Sequence, residues 1–173
     1  MGMSSKEWSR YMHSELGVPM EPEEISAAVV ERLKDRYRRQ VPLLPHAVET
    51  VRSLAERWPL AVASSANRPL IDFVLELTGM AGLFRATVSS EEVPHGKPKP
   101  DVYIEAARRL DVAPEGCVAV EDSTNGIHAA RAAGMRVIAV PRPDFPPDAE
   151  ALRLAESELD SLSELESALD ELT

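Results

Sequence analysis

A chain of 173 residues, 44% hydrophobic and 28% charged, is long enough for one domain with a true core and ordinary in composition for a globular protein. Its formal net charge of −10 leaves no basic stripe to neutralise a polyanion, so nucleic acid is not an expected partner, whereas a single small phosphate needs only one local lysine and a few backbone N–H groups. Cys117 is the single cysteine, which excludes an internal disulfide, and neither a secretory signal nor an apolar run of about 18 residues occurs, so no membrane span and a reducing, cytoplasmic setting are expected.

In chain order, apolar residues first recur at helical spacing over residues 5–16 and 23–37, with Gly17 and Pro19 between them, which predicts a helical hairpin. Trp8 and Tyr11 fall on one side of its first helix and are expected in the hairpin's core. The basic run RLKDRYRRQ, residues 32–40, reads as a solvated face of the second helix. Two prolines in VPLLP mark a boundary near Val41, and His46 is expected at the start of the helix that follows. Beyond the boundary the pattern alternates. Helices over 47–57, 68–78, 101–110 and 126–133 are each followed by a short apolar strand, in PLAVASS, ATVSS, CVAVE and RVIAV. Residues 157–160 read as an edge strand and 162–169 as an acidic closing helix. Alternation of this kind predicts an α/β fold with parallel strands joined by helical crossovers. The strands are continuous runs of Val and Ala, as expected where helices cover both faces of a sheet, and Cys117, inside GCVAV, is expected to be buried.

Ligands of an open parallel sheet bind beyond the carboxyl ends of its strands. Collecting those ends gives Ser64 and Ser65 after LAVA, Lys97 in the loop after ATVSS, and Glu121 and Asp122 after CVAV. The set suits a phosphate bound with magnesium: carboxylates offer oxygen ligands to a hard cation, while lysine and hydroxyls hold the remaining phosphoryl oxygens. Each residue also has a plainer reading. Asp122 or Ser123 serves to cap the following helix, Ser64 and Ser65 suit a strand-to-helix turn, and Lys97 with Lys99 lies in a proline-stiffened loop. The arrival of a hydroxyl, a lysine and paired acids at three successive strand ends favours the site. His13, His46, His95 and His128 are scattered without the close spacing of a metal centre.

The segments LAVASSANR, GKPKPDVY and VAVEDSTNGIHAARAAGM resemble the second, third and fourth motifs of the haloacid dehalogenase-like hydrolases, in the helical-capped branch that includes β-phosphoglucomutase and small sugar-phosphate phosphatases. The resemblance runs from about Pro42 onward. It implies a Rossmann-like parallel sheet with helices on both faces as an α/β core over residues 42–173, and part of a helical cap over residues 1–41. It implies that Ser64, with Ser65 beside it, binds the phosphoryl group, that Lys97 neutralises phosphate and nucleophile, and that Asp122 with Glu121 holds Mg2+. Asn67 and His95, close to these motifs, receive no role. The family's first motif, an Asp-x-Asp pair at the end of an N-terminal strand, has no counterpart, because no two aspartates are separated by one residue. By this resemblance the first core strand is missing from between the LAVAS and CVAVE strands, together with the nucleophile and the front of the cap. A truncated chain is then expected, with two apolar strand edges left open to self-association or forced to pair with each other. The expected function is that of a Mg-dependent phosphohydrolase of a small phosphorylated metabolite, a sugar phosphate first among them. The alternatives are transfer of the β-phosphoglucomutase kind and a non-catalytic phosphate-binding remnant. A receiver-type signalling domain fits less well, since there the acid pair comes first and the lysine last.

Overall fold

The computed structural model describes residues 5–172. Helices α1 (Ser5–Ser14) and α2 (Pro22–Arg39) form the expected hairpin. Pro22 sits in the first turn of α2, where a missing N–H leaves nothing unpaired, and the Glu24 carboxylate accepts the Glu21 N–H at 3.1 Å. The face of α1 turned inward differs from expectation. Ser5 and Ser9, one turn apart, are buried, while Tyr11 is 48% exposed. Trp8 and Met12, on the same side, are half-buried, and Ser5 has a carboxylate partner across the interface, as described below.

The remaining elements are α3 (Ala47–Arg57), β1 (Ala61–Ser64), α4 (Arg68–Leu77), β2 (Ala86–Ser89), α5 (Asp101–Leu110), β3 (Val118–Glu121), α6 (Thr124–Ala132), β4 (Arg136–Ala139), α7 (Ala149–Leu152), β5 (Ser157–Glu158) and α8 (Leu165–Leu172). His46 precedes α3 in the left-handed conformation, at φ 65°, which is uncommon for a residue with a side chain. Helix α6 starts at Thr124, two residues earlier than the sequence pattern places it, because the Ser123 hydroxyl accepts the Gly126 N–H and caps it. At the tail, residues 162–164 form a 3-10 turn that displaces α8 toward the C-terminus. Four-residue α7 is too short to leave a periodic signature in the sequence. Cys117 is half-buried rather than enclosed. No helix among the described residues is long and apolar enough to cross a membrane.

All strand pairs are parallel, as the alternation predicts, but they form two sheets. One is β1–β2, with Ala61 opposite Ala86; the other is β3–β4–β5, with Val118 opposite Arg136. Among the described residues β1 and β3 are not paired, and their open edges line a common apolar cleft of about 390 Å³ that includes Ala61, Ala63, Val118 and Val120. Val120 is 41% exposed there. Of the two outcomes expected for these strands, open edges are the one that forms.

Helix α5 joins the two sheets. It packs on β1, β2 and α6, and its buried Val102, Tyr103, Ala106 and Ala107 share one cluster with Val88 of β2, Ala119 of β3 and Val137 of β4. Ile138 of β4 and Val140, just beyond its end, point the other way into a cluster with Leu54, Leu159 and Leu165 beneath α3 and α8. Helices therefore cover both faces.

An ion network clamps α4 and α5 to the turn after β2. Glu92 accepts the Ser89 N–H at 3.0 Å, Arg109 at 2.7 Å and Arg68 Nε at 2.9 Å. Burial pushes the Glu92 carboxyl up, but the Ser89 N–H and the two guanidinium groups outweigh it and bring it from 4.5 down to about 2. Folding thus favours the ionised form. The folded state binds fewer protons than the unfolded chain between about pH 4.5 and about pH 2, so this contribution is complete above that window and is lost as pH falls through it. Denaturant melts are expected to show a midpoint that drops as pH falls below about 4.5, and Glu92→Gln to lower the neutral plateau while flattening the drop. Parallel pH profiles for the two proteins would refute the assignment.

Candidate functional site

The five residues collected from the strand ends line one cavity of about 420 Å³: Ser64, Ser65, Lys97, Glu121 and Asp122. It shares Ala63, Val120 and Leu162 with the apolar cleft, so the polar site sits at the mouth of the gap between the two sheets.

On the β1 side, Ser64 ends the strand and its hydroxyl oxygen accepts the Ala66 N–H at 3.1 Å, leaving its own proton to donate. Ser65 Oγ is buried and has no hydrogen-bond partner among the described residues. A buried hydroxyl without a partner is uncommon and in this cavity fits an absent acceptor. The loop is held from beneath by the end of β2: Ser90 Oγ donates to the Ser64 carbonyl at 3.2 Å and Ser89 Oγ to the Ala66 carbonyl at 2.7 Å.

On the β3 side the centre is a buried ion pair. Lys97 Nζ contacts Glu121 Oε1, with the two side chains 8% and 6% exposed. The same Oε1 accepts the Tyr103 hydroxyl at 2.5 Å, and Oε2 accepts the Asp122 N–H at 3.1 Å, the Ser123 N–H at 3.3 Å and the Ser123 hydroxyl at 3.0 Å. Burial raises the Glu121 carboxyl, yet the Lys97 charge and these donors together lower it below its ordinary value, so it is ionised. Tyr103 is pushed well above its ordinary value by burial and then by Glu121, so it keeps its proton and donates it. Lys97 also donates to the Tyr103 oxygen at 3.2 Å, which leaves one of its three N–H groups for a ligand. Half-buried Asp122 is raised, first by burial and then by the charge of Glu121.

Both Glu121 oxygens are thus engaged by protein donors, and the carboxylate left to offer a cation is Asp122. No group of three or more His, Cys, Asp or Glu side chains comes together among the described residues. Magnesium fits such a donor set, because it keeps several waters and uses one or two carboxylates plus phosphate oxygens. The histidines lie apart, His95 beside Asp101 at 2.9 Å and His13 on the Met20 carbonyl at 2.8 Å.

Sequence reasoning missed three members of this cluster. Tyr103 reads as a core aromatic at helical spacing and Ser123 as a cap. Gly126 carried a signal: a glycine inside a helix costs about 1 kcal/mol relative to alanine and calls for a reason. The reason is contact, since a Cβ there would stand 1.9 Å from Glu121 Oε2.

Comparison with known proteins gives a consistent picture. The family model of the haloacid dehalogenase-like hydrolases matches residues 2–134. Hexitol phosphatase B of Escherichia coli K12 is 38% identical over 144 residues, covering 83% of this chain and 64% of that protein. Fructose-1-phosphate phosphatase YqaB of the same organism is 34% identical over 121 residues, covering 70% of this chain and 64% of its own length. The chain therefore spans less than two thirds of either relative. Among solved structures, CbbY from Rhodobacter sphaeroides in complex with phosphate superimposes with a TM-score of 0.81 at 30% identity, covering 95% of this chain and 76% of that one.

Gly126→Ala is expected to displace the Glu121 carboxylate and strand Lys97. A loss of about 3 kcal/mol in a urea melt is predicted, the scale of a broken buried ion pair, against a gain of about 1 kcal/mol from helix propensity. A neutral or stabilised variant would show that Glu121 yields without cost.

Proposed function

The chain belongs to the haloacid dehalogenase-like hydrolase family, and from that premise we propose that it binds a small phosphorylated metabolite, a sugar or sugar-alcohol phosphate, as part of a magnesium-dependent phosphohydrolase. The observation that carries the reading is the partnerless Ser65 hydroxyl in the cavity that Ser64, Lys97 and Asp122 also line. The phosphatase relatives, named for hexitol and fructose 1-phosphate substrates, support the substrate class.

In this reading residues 42–173 are the α/β core and residues 1–41 part of a cap. Ser64 and Ser65 donate to phosphoryl oxygens, Lys97 donates its remaining N–H, and Glu121 holds Lys97 in place. Asp122 is the residue that would hold magnesium, whose charge when bound neutralises the phosphoryl oxygens. Charge balance supports that need. Lys97 in the cavity lining and Arg142 near Asp122 carry two positive charges against the two negative ones of Glu121 and Asp122 when ionised, so a phosphate dianion meets no net positive charge unless a divalent cation joins it. An aspartyl nucleophile in an Asp-x-Asp pair has no counterpart in this sequence. The residues named here supply binding and charge stabilisation; the second reading is a non-catalytic phosphate-binding domain. No observation singles out phosphoryl transfer within a sugar phosphate over hydrolysis.

Two measurements separate the readings. Calorimetric titration with inorganic phosphate is expected to show binding that strengthens with magnesium, weakened about tenfold or more by Lys97→Ala and made independent of magnesium by Asp122→Ala, each change removing a charge-assisted contact. Absence of phosphate binding in magnesium would sink both readings. Turnover of hexitol phosphates, fructose 1-phosphate and p-nitrophenyl phosphate then decides between them, since a rate no higher than that of Asp122→Ala leaves only the binding function.

We further propose that the open apolar edges of β1 and β3 drive self-association. The weight-average mass in sedimentation is expected to rise with concentration, and Val120→Lys to suppress the rise. A monomer at all concentrations would reject it.

A further inference from the structure

Asn67 stands at the N-cap of α4, where its side chain would ordinarily accept a backbone N–H of the first turn. It does not. Its amide is turned away and donates to Ser26 Oγ of α2 at 2.9 Å and to Glu91 Oε1 at 3.0 Å. The end of the helix is served from a distance instead: Glu91 Oε2, on the turn after β2, accepts the Arg68 N–H at 3.1 Å, placing a negative charge where a helix N-terminus favours one. Glu91 Oε1 also accepts the hydroxyl of Ser5 on α1 at 2.5 Å, and Ser5 is buried to 1% exposure. One carboxylate thus gathers donors from the loop that follows Ser64 and Ser65 and from the helical hairpin.

We propose that Glu91 is a positioning residue, setting the geometry of the Ser64–Ser65 loop and tying it to the position of the α1–α2 hairpin. A ligand that moves the loop pulls on the hairpin through this carboxylate, and the hairpin's seating in turn selects the loop geometry that meets the ligand. The inference rests on the phosphate-binding reading of Ser64 and Ser65 for its functional consequence, but the coupling itself does not need a ligand.

Amide hydrogen exchange of the whole chain tests the coupling. Glu91→Gln retains the shape but presents an N–H₂ group where one pair of donors needs an acceptor, so exchange is expected to rise about tenfold both at residues 64–68 and along α1, the scale of one lost charge-assisted hydrogen bond. The β4 amides should be unchanged. Ser5→Ala, which removes a contact to Glu91 and none to the loop, is expected to raise exchange at residues 64–68 several-fold in the same sense. Added to Glu91→Gln, Ser5→Ala should have no further effect, because both act through one carboxylate. Should Glu91→Gln fail to fold, the Ser5→Ala protein alone decides. Loop exchange at the wild-type rate in Ser5→Ala, or a rise in Glu91→Gln confined to residues 90–92, would overturn the proposal. Titration with inorganic phosphate and magnesium gives the functional arm, with an expected weakening of about tenfold in Glu91→Gln. If the wild-type chain binds no phosphate, the binding reading falls while the exchange data still judge the coupling. Wild-type affinity in Glu91→Gln would remove the positioning role.

Discussion

The buried pair between Lys97 and Glu121 dictates more of this structure than any other contact. Taking two charges out of water costs more than their attraction returns unless further hydrogen bonds are supplied. Each residue that supplies one is thereby constrained. Strand β3 ends at Glu121 so that the backbone N–H groups of Asp122 and Ser123 fall within reach of its carboxylate. Ser123 serves twice, its hydroxyl donating to Glu121 and accepting from Gly126, so the start of α6 and the stability of the ion pair depend on one oxygen. Position 126 must lack a side chain for the carboxylate to lie there, and α5 must pass close enough to deliver Tyr103.

The β1 side is organised by a different local device. Since β1 and β3 share no ladder, the spacing of Ser64 and Ser65 from Asp122 is set by the packing of α5 on both sheets rather than by backbone hydrogen bonds. Packing fixes distance less sharply than a ladder does, so each half of the site carries its own polar scaffold. Around the first it is the segment Ser89 to Glu92, whose hydroxyls and carboxylates hold the Ser64 and Ala66 carbonyls, the Asn67 amide and the Arg68 N–H and guanidinium. Around the second it is the Glu121 cluster.

How much of this the sequence discloses follows from the range of each interaction. The parallel α/β pattern was legible because apolar periodicity and turn residues are local signals, and all four main strands lie where the runs of Val and Ala place them. The five site residues were legible because strand ends gather ligand chemistry and because three motifs resemble one family. Tyr103 and Glu91 were not, since each acts on a partner 18 or more positions away and nothing in its neighbours differs from a core aromatic or a surface acid. Tyr11, unlike half-buried Trp8, misled for a related reason. Periodicity says which residues share a helix side but not which side faces the protein, and the carboxylate of Glu91 draws the serine face of α1 inward instead.

In the proposed reading, an acidic chain that is to hold phosphate faces a problem of charge. Among the residues lining the cavity Lys97 is the cation, and two of its three N–H groups are already spent on Glu121 and Tyr103. As a buried, paired lysine it offers direction rather than net charge: one N–H aimed by a fixed carboxylate. Neutral hydroxyls at Ser64 and Ser65 add geometry and no charge. What remains is Asp122, whose carboxyl is raised first by its burial and then by the charge of Glu121 beside it. A divalent cation held at Asp122 would relieve that repulsion and would supply positive charge in one event, so that anion and cation would each make the other's binding easier. In the proposed reading, conditional binding of this kind accounts for a carboxylate pair at the end of β3.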